Sequence, residues 1–182
     1  MAYWEEKGKH NTDDTVKMAV EKARELGIKH VVVASNTGYT ADKFIGQDLE
    51  IVCVTHQVGF AGPGEDEMGA EKRNELQDQG FKLLTTTHLL AGIDRALRFK
   101  FEGIYPSEIV ATALRMLGQG FKVCVEISVM ALDAGLIPYG EEIIAVGGTG
   151  RGADAACVIL PAHSKQFFDT EIKEIICMPR NK

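Results

Sequence analysis

The sequence predicts an α/β fold, a three-layer α/β/α sandwich around a mostly parallel sheet, formed as one domain over residues 1–182. Three observations lead there. The runs HVVVAS at 30–35, LEIVCVTH at 49–56 and EEIIAVGG at 141–148 have apolar, β-branched centres without polar alternation, as strands covered on both faces do. Segments of helical periodicity lie before and between them. Two of the runs also end in loops of glycine and hydroxyl residues, the place where open parallel sheets bind ligands.

The opening stretch MAYWEEKGKH is charged, lacks an apolar run of signal-peptide length and suggests no element of its own. TDDTVKMAVEKAREL at 12–26 begins with Thr and Asp and repeats apolar residues at Val16, Ala19, Val20, Ala23 and Leu26. Gly27 supplies its stop, so the segment is a helix. HVVVAS is the first strand. TADKFIGQD leaves room for a short helix before LEIVCVTH, and the three pieces form a parallel βαβ unit. A glycine-rich loop, GFAGPGEDEMG at 59–69, leads into the helical EKRNELQDQG, and FKLLTTT at 81–87 is the next strand. HLLAGIDRALRFKF at 88–101 reads as a helix. Pro106 opens another over 106–117, where its missing N–H is harmless. The segment 120–137 begins like a strand, yet its length and late alanines favour a buried helix. EEIIAVGG, ACVILPA and EIKEIICMP are short strands that end the chain.

A net charge of −6 argues against sequence-independent binding of a nucleic-acid polymer, which needs a basic surface, and leaves room for a local basic pocket. No apolar run approaches a membrane span, so no membrane association and a cytoplasmic location are expected. The four cysteines, Cys53, Cys124, Cys157 and Cys177, show no C-x-x-C spacing and read as buried free thiols.

Chemistry concentrates in two loops. After Ala34 come the hydroxyls of Ser35, Thr37 and Thr40, the Asn36 amide, Gly38 and Tyr39. Hydroxyls together with the amides of a helix start make an anion site without a lysine. The same residue types also make a capped strand-to-helix turn, and the loop alone leaves both readings open. The second loop sets Gly147, Gly148, Gly150 and Gly152 around Thr149 and Arg151. Exposed amides, a hydroxyl and a guanidinium suit a phosphate. No G-K-[ST] follows, and the next segment reads as a strand, so this is neither a Walker loop nor a dinucleotide fingerprint.

The series Ser35-Asn36-Thr37-Gly38-Tyr39-Thr40-Ala41, Ile51-Val52-Cys53-Val54-Thr55 and Ile143-Ile144-Ala145-Val146-Gly147 resembles the C-terminal domain of pyruvate kinase, in order over most of the chain. Residues 60–140 match in type alone. The chain resembles the stand-alone archaeal and bacterial proteins built on this domain, most without an assigned activity. The resemblance implies a regulatory, phosphate-holding domain, with Ser35, Asn36, Thr37, Gly38 and Thr40 as phosphate ligands facing the 147–152 loop. It also implies a homo-oligomer, because these domains meet in pyruvate kinase tetramers. Tyr39 stands where the family often has a basic residue and Gly148 where it has tryptophan, which departs from a sugar-bisphosphate site. A chain of this length has no room for the kinase's catalytic barrel, so phosphoryl transfer to pyruvate is not expected.

His56 ends its strand beside the same crevice and His88 follows the TTT of the next strand, so either suits acid–base chemistry or ligand contact. Cys53 and His56 fall on opposite faces of a regular strand, against a nucleophile–base pair. The GEDEMG loop lacks the order of a calcium loop, and no metal is expected. Glu126 lies in an apolar segment and needs a partner. The function expected is binding of a phosphate-bearing small molecule on the 35–40 loop, closed over by 147–152. Tyr39, His56 and Phe60 as flanks for a flat ring point to a nucleotide, with flavin mononucleotide (FMN) the first candidate cofactor. The alternative is an enzyme that acts on a phosphorylated substrate, or uses bound flavin, with His56 or His88 as acid–base.

Overall fold

Val31, Val32 and Val33 point alternately to the two faces of a sheet, and all three are fully buried. A strand with no exposed face needs a helical layer on each side. The computed structural model, which describes residues 1–181, has both. The strands are β1 (Ala2–Trp4), β2 (His30–Ala34), β3 (Glu50–Val54), β4 (Lys82–Leu84), β5 (Ile143–Gly147), β6 (Ala155–Leu160) and β7 (Glu171–Pro179). The helices are α1 (Thr12–Leu26), α2 (Tyr39–Asp42), α3 (Ala70–Asp78), α4 (Gly92–Phe101), α5 (Pro106–Leu114) and α6 (Gln119–Asp133).

The strands form one sheet in the order β1-β7-β6-β5-β2-β3-β4. β5, β2, β3 and β4 run parallel, as does β1 beside β7, while β6 is antiparallel to both its neighbours. The antiparallel part follows from chain length, since the 148–154 turn is too short for a parallel crossover. Val31 lies beside Ile51 and Ile144, and Val33 beside Cys53 and Val146. These odd-face residues pack with Val16, Ala19, Val20 and Ala23 of α1 and with Phe44, Met68 and Leu76. On the other face Val32, Val52 and Ala145 meet Phe121, Cys124 and Val125 of α6.

The ambiguous 120–137 segment is therefore mostly helix. From Gly120 to Leu132 every residue except Val123 is buried, so α6 is apolar nearly all round and shows little amphipathic contrast. β1 went unseen in the sequence, where its three residues lie in a charged stretch. Its partners are Cys177, Met178 and Pro179 at the far end of the chain. All four cysteines are free and buried, and burial pushes Cys53 up to about 12 and Cys177 up to about 11, so neither is a nucleophile at neutral pH. Among the described residues no helix is long and apolar enough to cross a membrane.

One contact fixes how α6 sits on the sheet. A Cβ added to Gly147 would run into the Gly120 carbonyl oxygen and lie 3.1 Å from the Cys124 amide nitrogen. Backbone meets backbone there, and only glycine permits it. Gly147→Ala is expected to lower the free energy of unfolding by about 3 kcal/mol, the upper end of the overpacking range. Urea unfolding followed by circular dichroism would measure it.

Candidate ligand-binding site

The chain runs from β2 to β3 and β4 on one side of β2 and returns to β5 on the other. That reversal makes a switch point, and ligands bind beyond the strand C-termini at such places. The loops at 35–38 and 148–154 flank it. A cavity of about 720 Å³ opens there, lined by nine of the twelve residues predicted for the site. Ser35, Asn36, Thr37, Tyr39 and Thr40 come from the first loop and the start of α2, His56 from the end of β3, and Gly148, Gly150 and Arg151 from the second loop.

Gly38, Gly147 and Thr149 do not line the cavity, each for a local reason. Gly38 has φ +91° at the N-cap of α2, and a Cβ on it would strike the Lys72 stem at 2.8 Å. It permits the turn and the packing of Lys72. Gly147 is spent on the α6 contact. Thr149 lies against the fully buried Asp154. Ser35 differs too: its Oγ accepts the amides of Thr40 at 3.1 Å and Ala41 at 3.3 Å. Those two amides cap internally and are not free for an anion. Asn36 and Thr37 make no such side-chain bond among the described residues.

The remaining charges come from elements that sequence reasoning did not bring to the site. Lys9 arrives because the second loop docks on the start of α1, where Thr12 Oγ1 accepts the Ala153 amide at 3.0 Å. Its ammonium stands 4.0 Å from the Tyr39 ring centroid. Arg95 comes from α4, and Arg115 precedes α6 with its Nε bonded to Gln119 Oε1 at 2.6 Å. None of Lys9, Arg95, Arg115 and Arg151 is in a salt bridge with a described residue.

Glu126 has the partner its burial demands. Lys122, one helical turn earlier, bonds Glu126 Oε2, and Glu126 Oε1 accepts the Leu90 amide at 2.8 Å. Burial pushes Lys122 down and the Glu126 carboxylate opposes it. The i,i+4 spacing of Lys122 and Glu126 inside an apolar run was the signal for this pair. The acidic 65–67 stretch sends Glu67 into the cavity. Its Oε2 lies 2.5 Å from His56 Nδ1. An ionised carboxylate only accepts, so Nδ1 donates to Glu67, and in the neutral ring Nε2 is then the acceptor. The His56 ring is 3.8 Å from Phe60 and 5.3 Å from His88, and burial pushes His88 down. Among the described residues no cluster of three or more His, Cys, Asp or Glu could hold a metal.

Residues 13–159 match the profile of the family described as pyruvate kinase, alpha/beta domain, and the chain belongs to that family. A solved Cryptosporidium parvum pyruvate kinase in complex with ADP is similar at 17% identity with a TM-score of 0.41, over 90% of this chain and 23% of that one. The chain thus spans about a quarter of that pyruvate kinase's length.

Two outcomes follow from the buried charges. Glu126→Gln strands the Lys122 ammonium, and loss of one partner of a buried pair costs about 3–5 kcal/mol, measurable by urea unfolding. Asp154 Oδ2 accepts the Gly8 amide at 2.9 Å while Oδ1 has no hydrogen bond among the described residues, and burial pushes the carboxyl up. The folded state therefore holds this proton after the unfolded chain has released it near about pH 4. Stability falls as pH rises from there through the raised pKa, then levels. Asp154→Asn should remove that slope, gaining on the parent protein as pH increases, in unfolding curves between pH 4 and 8.

Proposed function

We propose that this protein binds a small molecule through a phosphate group placed between the 35–40 and 147–152 loops. The supporting observation is the charge of the cavity: in a chain of net charge −6, five cationic side chains line it against two carboxylates, both already engaged. Unpaired cations gathered in one concave site repel one another, and an anion relieves that cost. Arg151 of the second loop and Lys9 just ahead of α1 line the same cavity as the free Asn36 and Thr37 side chains of the first loop, which suits a phosphate held by a guanidinium, an ammonium and neutral donors.

A volume of about 720 Å³ is far more than a lone phosphate needs and is in the usual range for small-molecule sites. The rings of His56 and Phe60, with Tyr39 on the neighbouring loop, offer flat faces for the rest of the ligand. A nucleotide therefore fits these residues, and FMN is the candidate we put first. A second reading, an enzyme using His56 as the base, is favoured by the Glu67 bond. It orients the ring and, in the neutral imidazole, leaves Nε2 as the proton acceptor, as a carboxylate bonded to a catalytic histidine does.

Titration calorimetry with FMN, with riboflavin as the phosphate-free control, tests the proposal. FMN should bind more tightly than riboflavin. Thr37→Ala should weaken FMN by roughly tenfold, the loss of one charge-assisted bond of about 1.5 kcal/mol, without unfolding the protein. Equal binding of FMN and riboflavin would reduce the 35–40 loop to a structural turn. Should His56→Ala keep its affinity yet abolish a turnover seen with the parent, the second reading gains.

A further inference from the structure

The segment IDRALRFKFEGI at 93–104 is rich in large apolar residues that share no face. At about 100° per residue, Ile93, Phe99 and Phe101 of α4 project in three different directions around the helix. A helix that is apolar on several sides belongs in an interior. Yet α4 has no buried residue, and these three side chains are between 65% and 73% exposed. A ten-residue helix is also too short to be stable by itself in water.

The next helix repeats the anomaly. Ile109, Ala113 and Met116 fall at i, i+4 and i+7 along α5 and the 3-10 turn that continues it, which makes one apolar stripe, and all three are exposed. The two helices are held side by side: Asp94 Oδ2 accepts the Ser107 amide at 3.0 Å, and Arg98 Nε lies 2.5 Å from Glu108 Oε1. The turn between them is strained. Glu102, at φ +60° and ψ −168°, is the one non-glycine residue of positive φ among the described residues, in a region essentially reserved to glycine. Such a backbone persists where its surroundings hold it. Here Phe101, Glu102 and Ile104 all stand exposed at the tip.

Ile93, Phe99, Phe101, Ile104, Ile109 and Met116 together expose about 800 Å², at about 150–250 Å² for a whole large side chain. That exceeds the largest apolar patch of a typical monomer and equals one partner's share of a standard stable interface. The charges set among them are of both signs, Arg98 and Lys100 against Glu102 and Glu108. A face of mixed sign can complement itself under a two-fold rotation. An anionic lipid surface calls for a cationic face instead, and it touches a helix on one side only. We propose that the α4–α5 pair is an assembly arm that clasps the same pair of a second copy of this chain, building a four-helix layer about a two-fold axis in which α4 gains the cover it lacks. Arg95 of α4 and Arg115, directly after α5, line the cavity, so the clasp also steadies two of the cavity's cations.

Sedimentation of the full chain tests the arm. The parent should sediment at twice its 19.9 kDa, or at an even multiple, and Phe99→Glu/Ile109→Glu should halve that mass. Both substituted residues are exposed, so circular dichroism should show the fold intact. Tyr139→Glu/Phe168→Glu makes the same charge change at exposed apolar positions away from the arm, and should assemble as the parent does. Amide hydrogen exchange gives a reading that needs no variant: α4 should be protected at least about tenfold in the assembled parent, whereas a helix without buried side chains opens freely. A monomeric parent at the highest soluble concentration, an arm variant that assembles like the parent, or unprotected α4 amides in an assembled parent would each overturn the proposal. So would a monomeric parent that floats with vesicles containing phosphatidylserine, which would make a lipid surface the occupant.

Discussion

The structure depends on a contact made without side chains. Where Gly147 ends β5 and Gly120 begins the second residue of α6, the two backbones touch. Any Cβ at Gly147 would push the start of α6 off the sheet. That start carries Gln119 and Lys122, and Glu126 follows one turn on, so the distance between helix and strand sets where the floor of the cavity lies. The same crowding continues into the second loop, where a Cβ on Gly148 would meet the Gly152 carbonyl. The four glycines that suggest a phosphate loop are, for the most part, what allows three backbone segments to converge on one point.

The site is electrostatically expensive in its present form. Lys122 and Glu126 are both nearly removed from water, and a buried pair of this kind is weak as a source of stability because desolvation offsets its attraction. Asp154 is buried, and its Oδ1 has no hydrogen bond among the described residues. Unpaired cations stand around them. Strain of this type persists where the rest of the fold holds it in place, and here the two core clusters on either side of the sheet do so.

The strands were legible because burial on both faces removes polar alternation, which is visible in Val31–Val33 and Ile143–Val146 without a structure. α1 was legible from its apolar spacing and Gly27, and its ends at Thr12 and Leu26 match the sequence reading. β1 was not, because three residues carry no period and their partner strand lies at the other end of the chain. Within the candidate site, hydroxyls and glycines after a strand pointed to the 35–40 loop, which lines the cavity. They could not tell Gly38, which turns the chain, from Thr37, which lines the cavity. The cations Lys9, Arg95 and Arg115 were invisible for a different reason. A basic residue on a short helix or in a charged stretch looks the same whether it faces solvent or a cavity, and only the packing of α1, α4 and α6 turns these three inward.

Both edges of the sheet end in strands of three residues, β1 at one side and β4 at the other. A long, flat edge is a template on which another chain can add a strand, and natural proteins shorten their edges to prevent it. Here each border offers only a few unpaired backbone groups, and β4 carries Lys82 toward solvent beside Glu50. Borders this short disfavour sideways growth of the sheet from one molecule to the next, and leave the helical layers as the broader faces of the molecule.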